Sequence, residues 1–242
     1  MKALIKPVSL ICVILMYFQI SCANRFRHQT MLPAIPEEVY PSSEVVVLTH
    51  NAWTRTHYPK RIKVFKEQPL QLHDIVFLGN SITEQGGEWG KRFGLSSLKN
   101  RGIAGDVTDG VLARLGEVIF IKPEKVFIEI GINDLFNPNL TPERTSNNIL
   151  KIASNIKRHS PQTMVYVQTI FPTKNDFLIA NISKVNRILR ENKKNRIFTL
   201  IETHELFADS EDRMKPEYSQ DGVHLNEKGY DVWVNHLRKF LK

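Results

Sequence analysis

The chain has 242 residues, 42% hydrophobic and 24% charged. That is enough for one well-filled core and hardly enough for two enzymatic domains. Twelve Gly and twelve Pro exclude a collagen-like or low-complexity protein, and the formal charge of +8 is as compatible with solubility as with anionic surroundings.

The N-terminus carries a processing signal. Lys2 and Lys6 precede a mostly apolar run from Val8 to Phe18, followed by the small residues Ser21, Cys22 and Ala23. A positive start, a short apolar middle and a small-residue end form a secretory leader; the run falls short of the roughly 20 apolar residues of a membrane span. Two routes stay open: cleavage before Asn24, or a lipobox-like Ile20-Ser21-Cys22 in which Cys22 becomes the lipid-bearing N-terminus of a bacterial lipoprotein. Gln19 stands where that motif usually has Leu, yet the Cys at this spot is otherwise unexplained. Residues 1–22 are therefore read as leader, and the protein as exported, either periplasmic or membrane-anchored, with secretion as the alternative. Export makes nucleic acid an unexpected partner. Loss of residues 1–21 removes two lysines and no acid, taking the charge from +8 to +6. Both cysteines, Cys12 and Cys22, lie in this leader, so the rest of the chain has no disulfide, thiol nucleophile or cysteine metal site.

Residues 23–45, with Pro33, Pro36 and Pro41, read as an arm or tether, and residues 46–242 as the folded domain. Trp53 and Tyr58 precede the first strand and are expected to pack over it. Apolar runs at 75–78, 126–130, 164–167 and 197–201, with a further strand ending near Asn100-Arg101-Gly102, predict strands covered on both faces. Between them, Thr141-Pro142-Glu143 starts a helix with Ile149, Ile152, Ala153 and Ile156 on one face. Asp176 is expected to cap a second, and Asn226 a terminal helix that buries Tyr230, Trp233, Val234, Leu237 and Leu241. This alternation predicts an α/β fold with a parallel sheet and helices on both faces, whose chemistry gathers at the carboxyl ends of the strands.

Those ends carry polar motifs. Gly79-Asn80-Ser81-Ile82-Thr83 places a hydroxyl where the chain leaves a strand for a helix, beside amides free to meet an oxyanion. Alone it reads as readily as a turn with a capping Ser. Asp221-Gly222-Val223-His224 supplies an imidazole with a carboxylate three residues away, the pair a Ser needs as base. His28, His50 and His159 stand in polar stretches and are expected at the solvated surface. Gly105, in Asn100-Arg101-Gly102-Ile103-Ala104-Gly105-Asp106, offers an amide that no side chain shields. Asn133, after Gly131-Ile132, offers a side-chain donor. His204-Glu205 lacks the second His of a zinc-protease motif, and neither a metal nor a cofactor is implied.

In this order the four segments resemble the consensus blocks of the SGNH/GDSL hydrolase superfamily, and most closely its platelet-activating-factor acetylhydrolase-like branch. The resemblance implies a flavodoxin-like three-layer sandwich around a five-stranded parallel sheet. It further implies Ser81 as nucleophile, Asp221 and His224 as its triad partners, and Ser81, Gly105 and Asn133 as the oxyanion donors. Asn80 departs from the Asp of the family name, at a position outside the triad. Secreted bacterial members similar to this branch often deacetylate carbohydrates, so the expected substrate is an acetyl ester on a glycan such as a sialic acid or polysaccharide. Trp89 is then a candidate sugar platform or acyl-pocket wall, with a structural aromatic as the alternative. A lysophospholipase or thioesterase of the same fold, and an inactive glycan-binding protein, are the competing functions. Oligomeric state is not legible.

Overall fold

The computed structural model describes residues 35–242 except Ser43. The expected leader and its Cys22 lie outside the described residues. Five strands form one all-parallel sheet: β1 Ile75–Gly79, β2 Leu98–Gly102, β3 Lys125–Glu129, β4 Met164–Gln168 and β5 Thr199–Ile201, in the order β2-β1-β3-β4-β5. The α/β class and the five-stranded parallel sheet are those expected. Strand bounds differ from the sequence reading by one or two residues, as element ends commonly do.

Alternation along the strands sorts the core into two layers. Val76, Leu78, Val126, Ile128, Val165 and Val167 face helices Pro142–His159 and Asp176–Asn192, meeting Ile149, Ile152, Ile156, Ile182, Val185 and Leu189. Ile75, Phe77 and Phe127 face the other way, against Trp89, Phe93, Tyr230, Trp233 and Leu237. The second layer is largely aromatic: Phe77 stacks between Trp89 and Phe127 at centroid distances of 4.5 and 5.0 Å, and Trp233 meets Trp89 edge-on at 5.0 Å. Such offset and edge contacts suit the quadrupoles of the rings.

The capping residues behave as side-chain chemistry requires, with one shift. Thr141 accepts from the Arg144 N–H at 3.2 Å and Asn226 from the Gly229 N–H at 2.9 Å. Asp176 is the first helical residue rather than the cap; its carboxylate is paired with Arg213 at 2.8 Å, while Asn175 occupies the cap position without a side-chain bond.

Of the arm expected over residues 23–45, residues 23–34 lie outside the described residues, and part of the remainder packs on the domain. Tyr40 is buried and donates to Glu117 at 3.1 Å, drawn in by an apolar cluster with Tyr58, Ile62, Phe65 and Ile103. That cluster rests on a helix the sequence reading did not place, Ala52–Glu67, capped by Asn51 and carrying Pro59 inside it. Tyr58 is buried as expected, whereas Trp53 is exposed and stacks on His57.

Candidate active site

The carboxyl ends of β1, β2 and β3 stand level, because Gly79 pairs with Gly102 on one side and Glu129 on the other. Three loops therefore leave the sheet side by side, carrying Ser81, Gly105 and Asn133.

Ser81 opens a five-residue helix, Ser81–Gln85, whose cap Asn80 accepts from the Ile82 N–H at 2.8 Å. The side-chain oxygen that the cap needs is supplied equally well by Asn or Asp, which accounts for the tolerance of Asn80. A buried cation fixes this loop to the next: Arg114 donates to Gly79 O at 3.0 Å, to Arg101 O at 2.8 Å and to Asp106 Oδ2 at 3.0 Å. The other oxygen of Asp106 lies 2.8 Å from His50 Nε2. His50 was expected in solvent and is instead 4% exposed; its local sequence is polar, but a carboxylate from residue 106 repays its burial.

Gly105 has φ +76°, and a Cβ there would run into the Thr54 hydroxyl. The position thus needs glycine for its backbone and for its neighbour alike. Asn133 donates through Nδ2 to Asp106 O at 2.9 Å, which fixes its amide beside Gly105 and leaves the second Nδ2 proton free. Among the described residues, the N–H groups of Ser81 and Gly105 have no hydrogen-bond acceptor. The next residue, Asp134, accepts from the Thr108 N–H at 3.0 Å and its hydroxyl at 2.5 Å. Burial pushes Asp134 up to about 6 in spite of those bonds.

Asp221 and His224 arrive from the far end of the chain. His224 Nε2 lies 2.9 Å from Ser81 Oγ, and His224 Nδ1 lies 2.6 Å from Asp221 Oδ2. Asp221 Oδ1 accepts the N–H groups of Val223 and His224, each at 2.8 Å. Partial burial opposes ionisation of Asp221, but the bonds from His224 and Val223 outweigh it and hold the carboxyl well below the usual range. Tyr230, in the helix that follows, donates to Ile82 O at 2.7 Å, clamping the His-bearing end of the chain to the Ser-bearing helix. A hydroxyl, an imidazole and a carboxylate in sequence, beside free N–H donors, can perform acyl transfer.

Residues 77–232 match the profile of the GDSL-like Lipase/Acylhydrolase family. The chain belongs to that family. It is an SGNH-type hydrolase, and its fold is shared with solved structures. A GDSL-like lipase of Bacteroides thetaiotaomicron is 22% identical, with 76% of this chain and 96% of that one covered at a TM-score of 0.67. An acetylxylan esterase of Geobacillus stearothermophilus is 19% identical, with 70% and 94% covered at 0.59. A curated relative, the N-acylneuraminate cytidylyltransferase of Escherichia coli O18:K1:H7, is 27% identical over 189 residues; the match takes in 75% of this acylhydrolase but only 43% of the relative.

Trp89 is corrected by the same geometry. It is 1% exposed, stacked in the aromatic layer, with its indole N–H donating to Thr83 O at 3.1 Å. A ring so enclosed offers no face to a sugar; it braces the helix Ser81–Gln85 through Thr83. Trp89→Phe should cost about 2 kcal/mol, from lost volume and one hydrogen bond, read as a lower urea midpoint in equilibrium unfolding.

Proposed function

We propose that this acylhydrolase is a serine esterase that removes short acyl groups, acetyl above all, from carbohydrate esters. The observation that carries the proposal is the Ser81–His224–Asp221 chain of 2.9 and 2.6 Å contacts at the level strand ends. Similarity to part of a protein named for N-acylneuraminate, an acylated sugar, supports the carbohydrate side of the reading, as does the fold shared with an acetylxylan esterase.

His224 Nε2 takes the Ser81 proton as Oγ bonds to the ester carbonyl carbon. Asp221 holds the imidazole and stabilises its cation. The carbonyl oxygen, now an anion, is met by the Ser81 and Gly105 N–H groups and the free Nδ2 proton of Asn133. Collapse breaks the ester C–O bond, and His224 passes the proton to the departing alcohol. Water then repeats the sequence on the acyl-enzyme, releasing the carboxylic acid and restoring Ser81.

Asn133→Ala should lower kcat by about a hundredfold or more, near 3 kcal/mol, as for other single oxyanion donors. Stopped assays on p-nitrophenyl acetate check this, and full activity would remove Asn133 from the oxyanion site. Comparing p-nitrophenyl acetate with the octanoate tests the short-acyl preference; an octanoate preference would favour a lysophospholipase-like enzyme. Export and lipidation at Cys22 belong to the same proposal, supported by the leader pattern. Radiolabelled lipid should enter the wild type and not Cys22→Ser, and equal labelling would overturn the anchor.

A further inference from the structure

Two phenyl rings stand in solvent at the mouth of the site. Phe136 is 41% and Phe177 68% exposed, with centroids 6.1 Å apart and planes at 71°. Single exposed apolar residues need no explanation, but an adjacent pair beside a catalytic cleft marks a ligand surface.

The placement of the pair is specific. Phe136 closes the short helix Ile132–Phe136 that carries Asn133, and it lines a cleft of about 460 Å³ with Gly105 and Asn133. Phe177 comes from the other side: the Lys174 N–H donates to Gly222 O at 3.0 Å, which ties the start of its helix to the turn bearing Asp221 and His224. Phe136 thus lines the cleft beside Gly105 and Asn133, and Phe177, three residues after that tie, packs edge-on against it.

The rest of that cleft is mixed. Leu48 adds an apolar edge, while Asn51 and Asn137 add side-chain amides. Each of these amides uses its oxygen locally, Asn51 Oδ1 accepting from the Thr54 N–H at 2.8 Å and Asn137 Oδ1 from the Asn139 N–H at 3.0 Å. Their Nδ2 groups have no partner among the described residues and remain available as donors. An alkyl chain laid here would cover those donors without bonding them, which is unfavourable. A pyranose offers C–H faces for the rings and hydroxyl oxygens for the amides, which is the combination such sites recognise.

We infer that Phe136, Phe177, Asn51 and Asn137 form the subsite that binds the sugar ring of the ester. The inference rests on the esterase reading and adds to it the part of the surface that selects a glycan over a simple alcohol.

The test is a selectivity ratio: kcat/KM on acetylated xylobiose divided by kcat/KM on ethyl acetate, which has no ring to stack. Phe177→Ala and Phe136→Ala should each lower this ratio about tenfold, chiefly through KM on the sugar ester, since exposed aromatic anchors carry much of a binding surface. Phe177→Tyr should restore it. Circular dichroism confirms folding of each variant. An unchanged ratio in the double variant would overturn the subsite and leave the esterase reading intact. A loss confined to p-nitrophenyl octanoate would overturn it in favour of an acyl groove. Failure of every ester in a Ser81-dependent assay would sink the esterase reading instead. The subsite would then be judged by titration calorimetry of acetylated xylobiose into Ser81→Ala. Weakening of that binding by the Phe substitutions would sustain the subsite, and no binding or no weakening would overturn it.

Discussion

Ser81→Ala should reduce turnover of p-nitrophenyl acetate by on the order of 10⁴-fold or more, the loss seen when the nucleophile of a triad is removed. Ser81 Oγ lies 2.9 Å from His224 Nε2, and no thiol exists beyond Cys22 to take its place. What remains in the variant is substrate binding and the oxyanion donors, which together sustain only a small fraction of the rate. KM should change little, because the hydroxyl contributes to the transition state far more than to the bound ester. Parallel loss of affinity and rate would point to a damaged fold, and an unchanged urea midpoint separates the two. Retention of more than a tenth of the activity would remove Ser81 as nucleophile.

A second large effect concerns stability and lies beneath the site. Glu129 ends β3 beside Gly79 and is buried, and neither of its carboxyl oxygens has a hydrogen-bond partner among the described residues. Burial pushes the group up to about 8, with Thr83 beside it tempering the rise only in part. At neutral pH the folded protein therefore carries Glu129 as a neutral acid, while the unfolded chain ionises it near 4.5. Below that value both states hold the proton and the fold keeps its full stability. Between about pH 4.5 and 8 the unfolded state gains by releasing the proton, so stability falls with rising pH, and above 8 the loss levels off. At about 1.4 kcal/mol per unit the whole window is worth on the order of 5 kcal/mol. Glu129→Gln keeps the shape and removes the proton. Its urea midpoint should match the wild type near pH 4 and exceed it increasingly up to pH 8. Parallel curves for the two proteins across this range would mean that Glu129 is ionised in the fold.

Much of the site was legible because its residues sit at positions where chemistry and local structure coincide. Ser81 and Asn133 each follow an apolar strand run, Gly105 follows the polar strand Leu98–Gly102 with glycines to mark its turn, and Asp221 and His224 share one turn, so spacing along the chain forecasts much of the spacing in the fold. The parallel sheet follows from the same alternation of short apolar runs with capped helices. What escaped was decided by distant partners. His50 reads as surface from its neighbours and is buried because Asp106 and Arg114 come to it from another loop. Trp89 reads as a platform from its place soon after Ser81 and is enclosed because Phe77 and Trp233 pack on it. The Ala52–Glu67 helix, whose Thr54 abuts Gly105, was obscured by Pro59, although Asn51 at its cap was a usable signal. Glu129, a lone acid in the run Val126-Phe127-Ile128-Glu129-Ile130, also announced itself: an acid at a fully covered strand position is either paired or neutral.

The most direct test of the account is covalent. Treatment of the protein with a fluorophosphonate, followed by intact-mass and peptide-level mass spectrometry, should give one adduct, mapped to Ser81. It should be absent from Ser81→Ala and formed far more slowly by His224→Ala. An adduct on a different residue, or none on the folded wild-type protein, would contradict a mechanism built on Ser81, His224 and Asp221.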